Sequence, residues 1–387
     1  MYKSILVSVV LAIMLGFIVG DVTWLQYPLK ELSIMFTSML KMCVVPLAFV
    51  SIAHAIISIS NGVGLSVRAG GLAIGMSVAG VIMGLLLTAL IGVPTFEITT
   101  TKTVEVSAPT VLEFINGCIP VNIFNSLTTG NMLQVITLAI ITGVVSRKSK
   151  YKEEIDHALV VVQSLVLTVA NYVMMFAPVG IFALLYPVIA KCGLGILQGY
   201  LCMFGTLILG SIIFTALISL PLMYYHKVDG IKFLKTVIVE DVINAIAGGA
   251  SNTIGPRMKF LRENTDIPVT VIDYITPLIS VLMRVGSCIC VGVYVIYGAT
   301  LFGTPLGIFE LAVVIALTTI ALMCAPGIIG GTLMDCAIIF SAVGIPLEAI
   351  TFLFATDYIM DLIRTILNIQ GGEIVTACVG ERTCERS

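Results

Sequence analysis

Residues 275–298 read ITPLISVLMRVGSCICVGVYVIYG, a hydrophobic run with one charged side chain, Arg284, near its middle. A run of this length can cross a bilayer, since a transmembrane helix takes about 20 apolar residues. A charged side chain at that depth costs roughly 2.5–3.5 kcal/mol and is expected to face the protein interior. The stretch therefore predicts a membrane span that carries a functional group.

The composition of the whole chain agrees with this prediction. Of the 387 residues, 58% are hydrophobic and 11% are charged, and the mean hydropathy is +1.11. Soluble domains carry about 25% charged residues, so a soluble domain, a disordered chain, a nucleic-acid binder and a peripheral surface protein are excluded. The length leaves room for about eight to ten crossings. The apolar segment Ser4–Val22 is expected to be a retained first span, because no small-residue cleavage site follows it.

Short clusters of basic residues set the predicted orientation. They are Lys3; Arg147, Lys148, Lys150 and Lys152; Lys227, Lys232 and Lys235; Arg257, Lys259 and Arg262; and Arg382 and Arg386. The positive-inside rule places all of them, and both termini, on the cytoplasmic side of the inner (plasma) membrane. Segments 228–262 and 305–345 must then enter and return on one side. The expected fold class is an all-α polytopic membrane protein with eight transmembrane helices plus two re-entrant helical hairpins.

The predicted hairpin tips are rich in glycine and proline. Residues 247–256 read AGGASNTIGP and residues 325–332 read APGIIGGT. Non-helical backbone at membrane depth needs protein or an aqueous cavity around it, and two such tips can build a substrate site at the midplane. Surface loops are the alternative, but the flanking residues are very apolar. The tip residues expected to gate the site are Gly249, Ala250, Asn252, Pro326, Gly327 and Gly330.

A second hydrophobic run, ATDYIMDLIRTILNIQGGE at 355–373, carries several polar groups. Asp357, Asp361, Arg364 and Asn368 follow one another at intervals that place them on one helix face. Asp361 suits an ammonium group, Arg364 a carboxylate in a bidentate pair, and Asn368 a second carboxylate. Charge alone therefore predicts an acidic amino acid as ligand. The alternative is a set of buried ion pairs that fixes helix packing.

Three stretches carry a family resemblance: LKMCVVPLAFVSIA (Leu40–Ala53), PVNIFNSLTTGNMLQVI (Pro120–Ile136) and DYIMDLIRTILNI (Asp357–Ile369). Through them the chain resembles the dicarboxylate/amino acid:cation symporters, the glutamate transporter family, over nearly its whole length. The third stretch is the most specific. The resemblance implies a homotrimeric secondary transporter in membrane lipid, with no cofactor. No Ser/His/Asp set, metal-binding cluster or phosphate-binding loop in the sequence points to an enzyme.

The resemblance also implies a division of the chain and an elevator mechanism. Residues 1–60 (spans one and two) and 96–190 (spans four and five) would form the scaffold. Residues 61–95 (span three) and 191–387 (span six, first hairpin, span seven, second hairpin and span eight) would form the mobile transport domain. The second hairpin would act as the gate.

The roles that the resemblance implies for the site residues agree with the charge argument. Asp361 would bind the amino group, Arg364 the side-chain carboxylate, and Asn368 the main-chain carboxylate. Further residues expected at the substrate are Thr365, Ser251 and Ser287. Neutral-amino-acid relatives lack the arginine and dicarboxylate relatives lack the aspartate, so a chain with both is expected to carry aspartate or glutamate.

The sequence departs from the family at its sodium ligands. The seventh-span motif Asn-Met-Asp-Gly-Thr reads Met283-Arg284-Val285-Gly286-Ser287 here, and the eighth-span aspartate falls on Gly372. Because hard cations need oxygen ligands, no metal-binding residue is predicted at these positions. The leading hypothesis is that the guanidinium of Arg284 stands in for the bound cation and that sodium coupling is weakened or lost.

Two alternatives remain open. Arg284 would pair with Asp335, Asp357 or Glu373 in a conventional sodium- or proton-coupled symporter of acidic amino acids or dicarboxylates. The same three carboxylates are the candidate proton carriers. From another class, a substrate-gated anion channel or sensor would keep the binding site without a transport cycle.

Overall fold

The structure is a computed structural model that describes a large part of the chain. The described residues are 11, 14–15, 23–58, 64–94, 119–129, 132–176, 178–180, 182–183, 186, 194–247, 253–324 and 331–384. The elements within these ranges are helices, and no strand occurs among them, which agrees with the all-α class. The eight crossings and the two re-entrant hairpins remain predictions. Nearly all of the predicted first span, Ser4–Val22, lies outside the described residues.

The helices are numbered here in chain order. They are α1 Thr23–Ser58, α2 Gly64–Ile91, α3 Ile123–Thr129, α4 Met132–Arg147, α5 Lys152–Met175, α6 Leu194–Phe214, α7 Leu220–Tyr225, α8 Gly230–Ala247, α9 Ile254–Asn264, α10 Val269–Leu282, α11 Val285–Leu301, α12 Ile308–Cys324, α13 Gly331–Val343 and α14 Glu348–Cys384. A π-helical turn, Thr215–Ser219, joins α6 to α7.

Three stretches among the described residues are long and apolar enough to cross a membrane, by length and composition: Val67–Ile91, Gln198–Tyr225 and Val269–Leu301. The first lies in α2, the second joins α6 to α7, and the third comprises α10 and α11. They agree with a multi-pass membrane protein.

Helix α1 packs along α4 and α5. A Cβ atom added to Gly143 of α4 would lie 2.7 Å from Cβ of Ile56, so α4 approaches α1 as closely as a glycine permits. His54 Nδ1 of α1 and Asp156 Oδ1 of α5 are 2.7 Å apart. These contacts tie the three helices together.

Helix α2 packs most extensively against α11, and α11 in turn packs against α14. A Cβ atom on Gly84 of α2 would lie 2.2 Å from the Ile289 carbonyl oxygen, and one on Gly292 of α11 would lie 2.9 Å from Cα of Gly84. The two backbones are therefore in direct contact, which larger residues at these positions would prevent.

The run 275–298 is broken within the hydrophobic stretch. Helix α10 ends at Leu282, Met283 is extended (φ −82°, ψ 113°), and Arg284 (φ −134°, ψ 32°) precedes the first residue of α11. The sequence predicted one span with Arg284 inside it, whereas the structure places Arg284 at the junction of two half-helices. Broken helices of this kind present free backbone groups to a ligand or to neighbouring side chains.

Helix pairs flank both predicted hairpin tips. Helices α8 and α9 are in contact, as are α12 and α13. Helix α9 has 11 residues and α13 has 13, or about 16 and 20 Å, less than the roughly 30 Å of the hydrocarbon core. These lengths suit arms that return without crossing, but residues 248–252 and 325–330 of the tips lie outside the described residues.

Candidate functional site

Arg364 lies in the middle of α14 and is 2% exposed. Its Nε donates to Asp361 Oδ1 at 3.0 Å and its Nη2 lies 2.8 Å from the same oxygen. Its Nη1 bonds Asp357, which is also hydrogen-bonded by the Tyr294 hydroxyl at 3.3 Å. A guanidinium is thus held between two carboxylates on one helix face, in the order that the spacing predicted.

The two carboxylates beside Arg364 differ in access. The Asp357 side chain is 5% exposed, whereas that of Asp361 is 22% exposed. Asp357 therefore fixes the guanidinium from the protein side, and Asp361 is the carboxylate that a ligand can approach.

Asn368 points at the N-terminus of α11. Its Oδ1 accepts the backbone N–H groups of Gly286 at 2.8 Å and Ser287 at 3.2 Å, and its Nδ2 donates to Ser287 Oγ at 3.1 Å. The first N–H groups of a helix have no partner within the helix, so this side chain satisfies two of them. Asn368 and Ser287, both expected at the substrate, are bonded to each other, and the sequence did not predict this contact.

A close backbone contact holds α11 against α14 at the same place. A Cβ atom on Gly286 would lie 2.2 Å from the carbonyl oxygen of Arg364. Only glycine fits there, and the contact places the start of α11 beside the polar face of α14. Thr365 lies on that stretch of α14 and is half-buried.

Arg284 lies between α10 and α11, with its Nε buried. Asp335 of α13 and Asp361 of α14 are its strongest anionic neighbours, and Arg364 is also within electrostatic range. Arg284 therefore belongs to the same charged group as Arg364. Of the three pairing candidates from the sequence, Asp335 is the one that interacts most strongly with its charge.

The tips cannot be placed in this arrangement. Gly249, Ala250, Ser251 and Asn252 of the first tip, and Pro326, Gly327 and Gly330 of the second, lie outside the described residues. Their gating and substrate-binding roles stay predictions.

Arg257, one of the basic residues that set the predicted orientation, is not at the protein surface. The side of the membrane on which it lies stays a prediction. Arg257 lies on α9 and is 1% exposed. Its Nε donates to Glu373 at 3.2 Å, its Nη1 to Ser280 Oγ at 3.1 Å, and its Nη2 to the Ile369 carbonyl at 3.3 Å. The buried guanidinium connects the arm of the predicted first hairpin to α10 and α14.

Asp241 of α8 completes this second charged group and was missed in the sequence. It is fully buried, and its carboxyl group lies within hydrogen-bonding reach of Glu373. Its spacing in the sequence could have indicated that Asp241 is buried. Val237 and Asn244, four residues before it and three after it, share its helix face and are also buried.

The side chains nearest to Gly372, those of Ile279, Met283 and Arg257, offer no oxygen ligand to a sodium ion. The side chains of Met283 and Val285 contain no oxygen, and a Cβ atom on Gly372 would lie 3.5 Å from Nη2 of Arg257. A fixed guanidinium at that distance repels a second cation. Among the described residues, no group of three or more His, Cys, Asp or Glu side chains is arranged to hold a metal ion.

Two of the relatives are named as symporters of acidic amino acids. The chain is 25% identical over 284 residues to the proton/glutamate-aspartate symporter of Escherichia coli, a match that covers 73% of this chain and 65% of that protein. It is 24% identical over 293 residues to the proton/sodium-glutamate symport protein of Bacillus subtilis, covering 72% of this chain and 65% of the relative. In both cases the match spans less than two thirds of the relative.

A third relative matches over a longer region. The C4-dicarboxylate transport protein of Paracidovorax citrulli is 24% identical over an aligned length of 404 residues. The alignment covers 99% of this chain and 88% of that protein. The model of the sodium:dicarboxylate symporter family matches residues 1–382. This match confirms the resemblance seen in the sequence, and the chain belongs to the sodium:dicarboxylate symporter family.

Proposed function

We propose that the protein is a secondary transporter that carries acidic amino acids, aspartate or glutamate, across the membrane together with cations. The observation that carries the proposal is the buried guanidinium of Arg364 next to the accessible carboxylate of Asp361. The cation suits the side-chain carboxylate of the substrate and the anion suits its α-ammonium group.

Binding requires an exchange of partners at Arg364. In the structure, Asp361 occupies the Nε and Nη2 donors of the guanidinium. An incoming carboxylate takes these two donors in a bidentate pair, and the released Asp361 accepts the α-ammonium group. Asp357, bonded by Nη1 and by Tyr294, keeps the guanidinium in place during the exchange.

The charge of this group supports cation coupling. Three carboxylates, Asp335, Asp357 and Asp361, face two guanidinium groups, Arg284 and Arg364. An acidic amino acid brings one further net negative charge into the same buried region. Because uncompensated buried charge is costly, the loaded site requires at least one added cation.

A conventional cation-coupled symporter is better supported than one with weakened or lost sodium coupling. The family and two of the compared relatives are named for cation symport. Loss of sodium coupling remains a second candidate, favoured by the absence of side-chain oxygens at Met283, Val285 and Gly372. The electrostatic interaction of Arg284 with Asp335 is compatible with either candidate.

The elevator mechanism, the homotrimer and the division into scaffold and transport domain are part of the proposal. The packing of α1 with α4 and α5, and of α2 with α11 and α14, supports such a division. Helices α12 and α13 also touch α1, so the second predicted hairpin would lie where the two parts meet.

Binding and uptake by the purified protein in liposomes test the proposal. We expect L-aspartate or L-glutamate to bind and succinate, which is aspartate without its amino group, to bind far more weakly, because Asp361 repels a ligand that lacks the ammonium. Equal binding of succinate would instead assign the protein to the C4-dicarboxylate carriers. Replacing sodium by choline, with and without a pH gradient, then identifies the coupling cation. Current without accumulation would indicate a channel.

A further inference from the structure

The charged group formed by Asp241, Arg257 and Glu373 contains more acid than base. Asp241 and Glu373 are 0% and 1% exposed, and each lies within hydrogen-bonding reach of the other. Arg257 is bonded to Glu373 through Oε1. Two carboxyl groups and one guanidinium therefore share a region closed to water.

A proton between the two carboxyl groups resolves this arrangement. A carboxylate has only acceptors, so two carboxyl groups can hydrogen-bond to each other only when one is protonated. Neither oxygen of Asp241, nor Oε2 of Glu373, receives a hydrogen bond from another described residue. One bound proton supplies the missing donor and balances the charge against Arg257.

The groups that surround the pair come from several helices. The strongest charged neighbours are Arg257 on α9 and Glu240 on α8. Helix α10 contributes the Ser280 hydroxyl, while its charged residue Asp273 is exposed and bonded to Arg262. Helix α7, which also packs on α8 and α14, carries two tyrosines, Tyr224 and Tyr225, and both are exposed. Arg257 is thus the principal cation acting on the pair.

The pair is connected to the candidate substrate site through α14. Glu373 lies five residues beyond Asn368, or about 7.5 Å along the helix axis. Arg257 donates to the carbonyl of Ile369, the residue next to Asn368. A change in the charge of the pair therefore acts on the turn of α14 that carries Asn368.

We propose that the Asp241–Glu373 pair binds the proton that is transported together with the substrate. The inference rests on the proposed cation-coupled transport and assigns the cation and its site. One O–H bond forms when a carboxylate of the pair takes a proton from water on one side of the membrane. The same bond breaks when the proton is released to water on the other side. The side chain is not otherwise changed.

Amide variants of the pair test this assignment. Glu373→Gln and Asp241→Asn each imitate the protonated carboxyl and leave one carboxylate against Arg257, so the charge remains balanced. Glu240→Gln is the matched control, because it removes a neighbouring negative charge, whose side chain bonds Asn244, and leaves both carboxyl groups of the pair able to bind a proton. Each protein is reconstituted into liposomes in sodium-free choline buffer. Accumulation of labelled L-aspartate under an inward pH gradient, and exchange against internal aspartate at uniform pH, are then measured.

We expect the wild type and Glu240→Gln to accumulate aspartate under the gradient. The two amide variants should lose accumulation and retain exchange, because their site is permanently in the loaded form. Accumulation by both amide variants at the wild-type level would overturn the proposal. Accumulation by the wild type under a sodium gradient but not under a pH gradient would also overturn it, and would leave the proposed symport intact. No binding or uptake of any acidic amino acid by the wild type would instead reject the proposed function.

A second measurement serves if an amide variant does not fold. External alkalinisation during aspartate uptake is recorded with a pH dye for the wild type and for Asp241→Glu, which keeps a titratable pair with altered geometry. We expect alkalinisation with both proteins and a shifted pH dependence of uptake in Asp241→Glu. Aspartate uptake by the wild type without alkalinisation would contradict the assignment.

Discussion

The side chain of Asn368 is bonded to Ser287 in both directions: its Oδ1 accepts the backbone N–H of Ser287 and its Nδ2 donates to the Ser287 hydroxyl. The residue that was expected to hold a substrate carboxylate therefore also closes the N-terminus of α11. Asn368 thus has two roles, a cap of α11 and an expected contact with the substrate. Substitutions at this one residue can therefore be compared for their effects on stability and on substrate binding.

Substitution of Asn368 should separate these two roles. Asn368→Ala leaves two buried N–H groups without an acceptor, which should cost about 1–3 kcal/mol for each group. Asn368→Asp retains the acceptor and should be close to the wild type in stability. Its negative charge and the loss of the Nδ2 donors should nevertheless abolish binding of an anionic substrate. Thermal unfolding in detergent and titration with L-aspartate measure the two effects, and equal losses of stability in both variants would contradict the capping role.

Removal of Arg364 should harm folding and binding for different reasons. Arg364→Gln leaves the buried carboxylate of Asp357 without its cation and takes one guanidinium partner from Asp361, with an expected cost of about 3–5 kcal/mol in unfolding free energy. The double variant Arg364→Gln with Asp357→Asn removes one of these charges and should recover part of the stability without recovering aspartate binding. Recovery of binding in the double variant would show that Arg364 does not contact the substrate.

Gly286→Ala should destabilise the contact between α11 and α14. The new methyl group would lie 2.2 Å from the Arg364 carbonyl oxygen, and because this neighbour is backbone, it cannot turn away. Overpacking of this kind costs about 1–3 kcal/mol, or more where backbone must shift. Gly75→Ala is the control, since a Cβ atom at Gly75 of α2 meets nothing within 4 Å. Comparable unfolding temperatures for the two variants would show that the helices are not packed so closely.

Arg257→Gln should make stability depend on pH in a defined direction. Without the guanidinium, Asp241 and Glu373 are two facing buried carboxyl groups with no cation bonded to them. Binding protons relieves this repulsion in the folded state, so the folded protein holds more protons than the unfolded chain. Stability of the variant should then fall as the pH rises, more steeply than that of the wild type. Unfolding temperatures over a pH series test this, and parallel curves for the two proteins would contradict it.

The polar face of α14 could be predicted from the sequence because its residues are close to one another along one helix. Helix α14 is continuous from Glu348 to Cys384, so the spacing of Asp357, Asp361 and Arg364 alone determined that they lie together. The apolar composition likewise determined the helical membrane class. Sequence patterns work here because the distances involved are a few residues along one helix.

The partners of Asn368 and Arg257 depend on how distant helices pack. Asn368 bonds residues more than 80 positions away, and Arg257 and Glu373 are separated by 116 positions. A rule based on the number of basic residues in a segment assigns Arg257 to the membrane surface, because it takes no account of burial. The break between α10 and α11 at Met283 could not be predicted either, because the residues on both sides of it are hydrophobic.

The contact between Gly84 and Gly292 limits how the molecule can change shape. With peptide groups of α2 and α11 touching, sliding of one helix along the other would drive carbonyl oxygens into Cα atoms. Sliding of α2 along α11 is therefore blocked, and the two helices should move together as a rigid unit. A movement that exposes the candidate site to opposite sides of the bilayer should then take place between other pairs of helices.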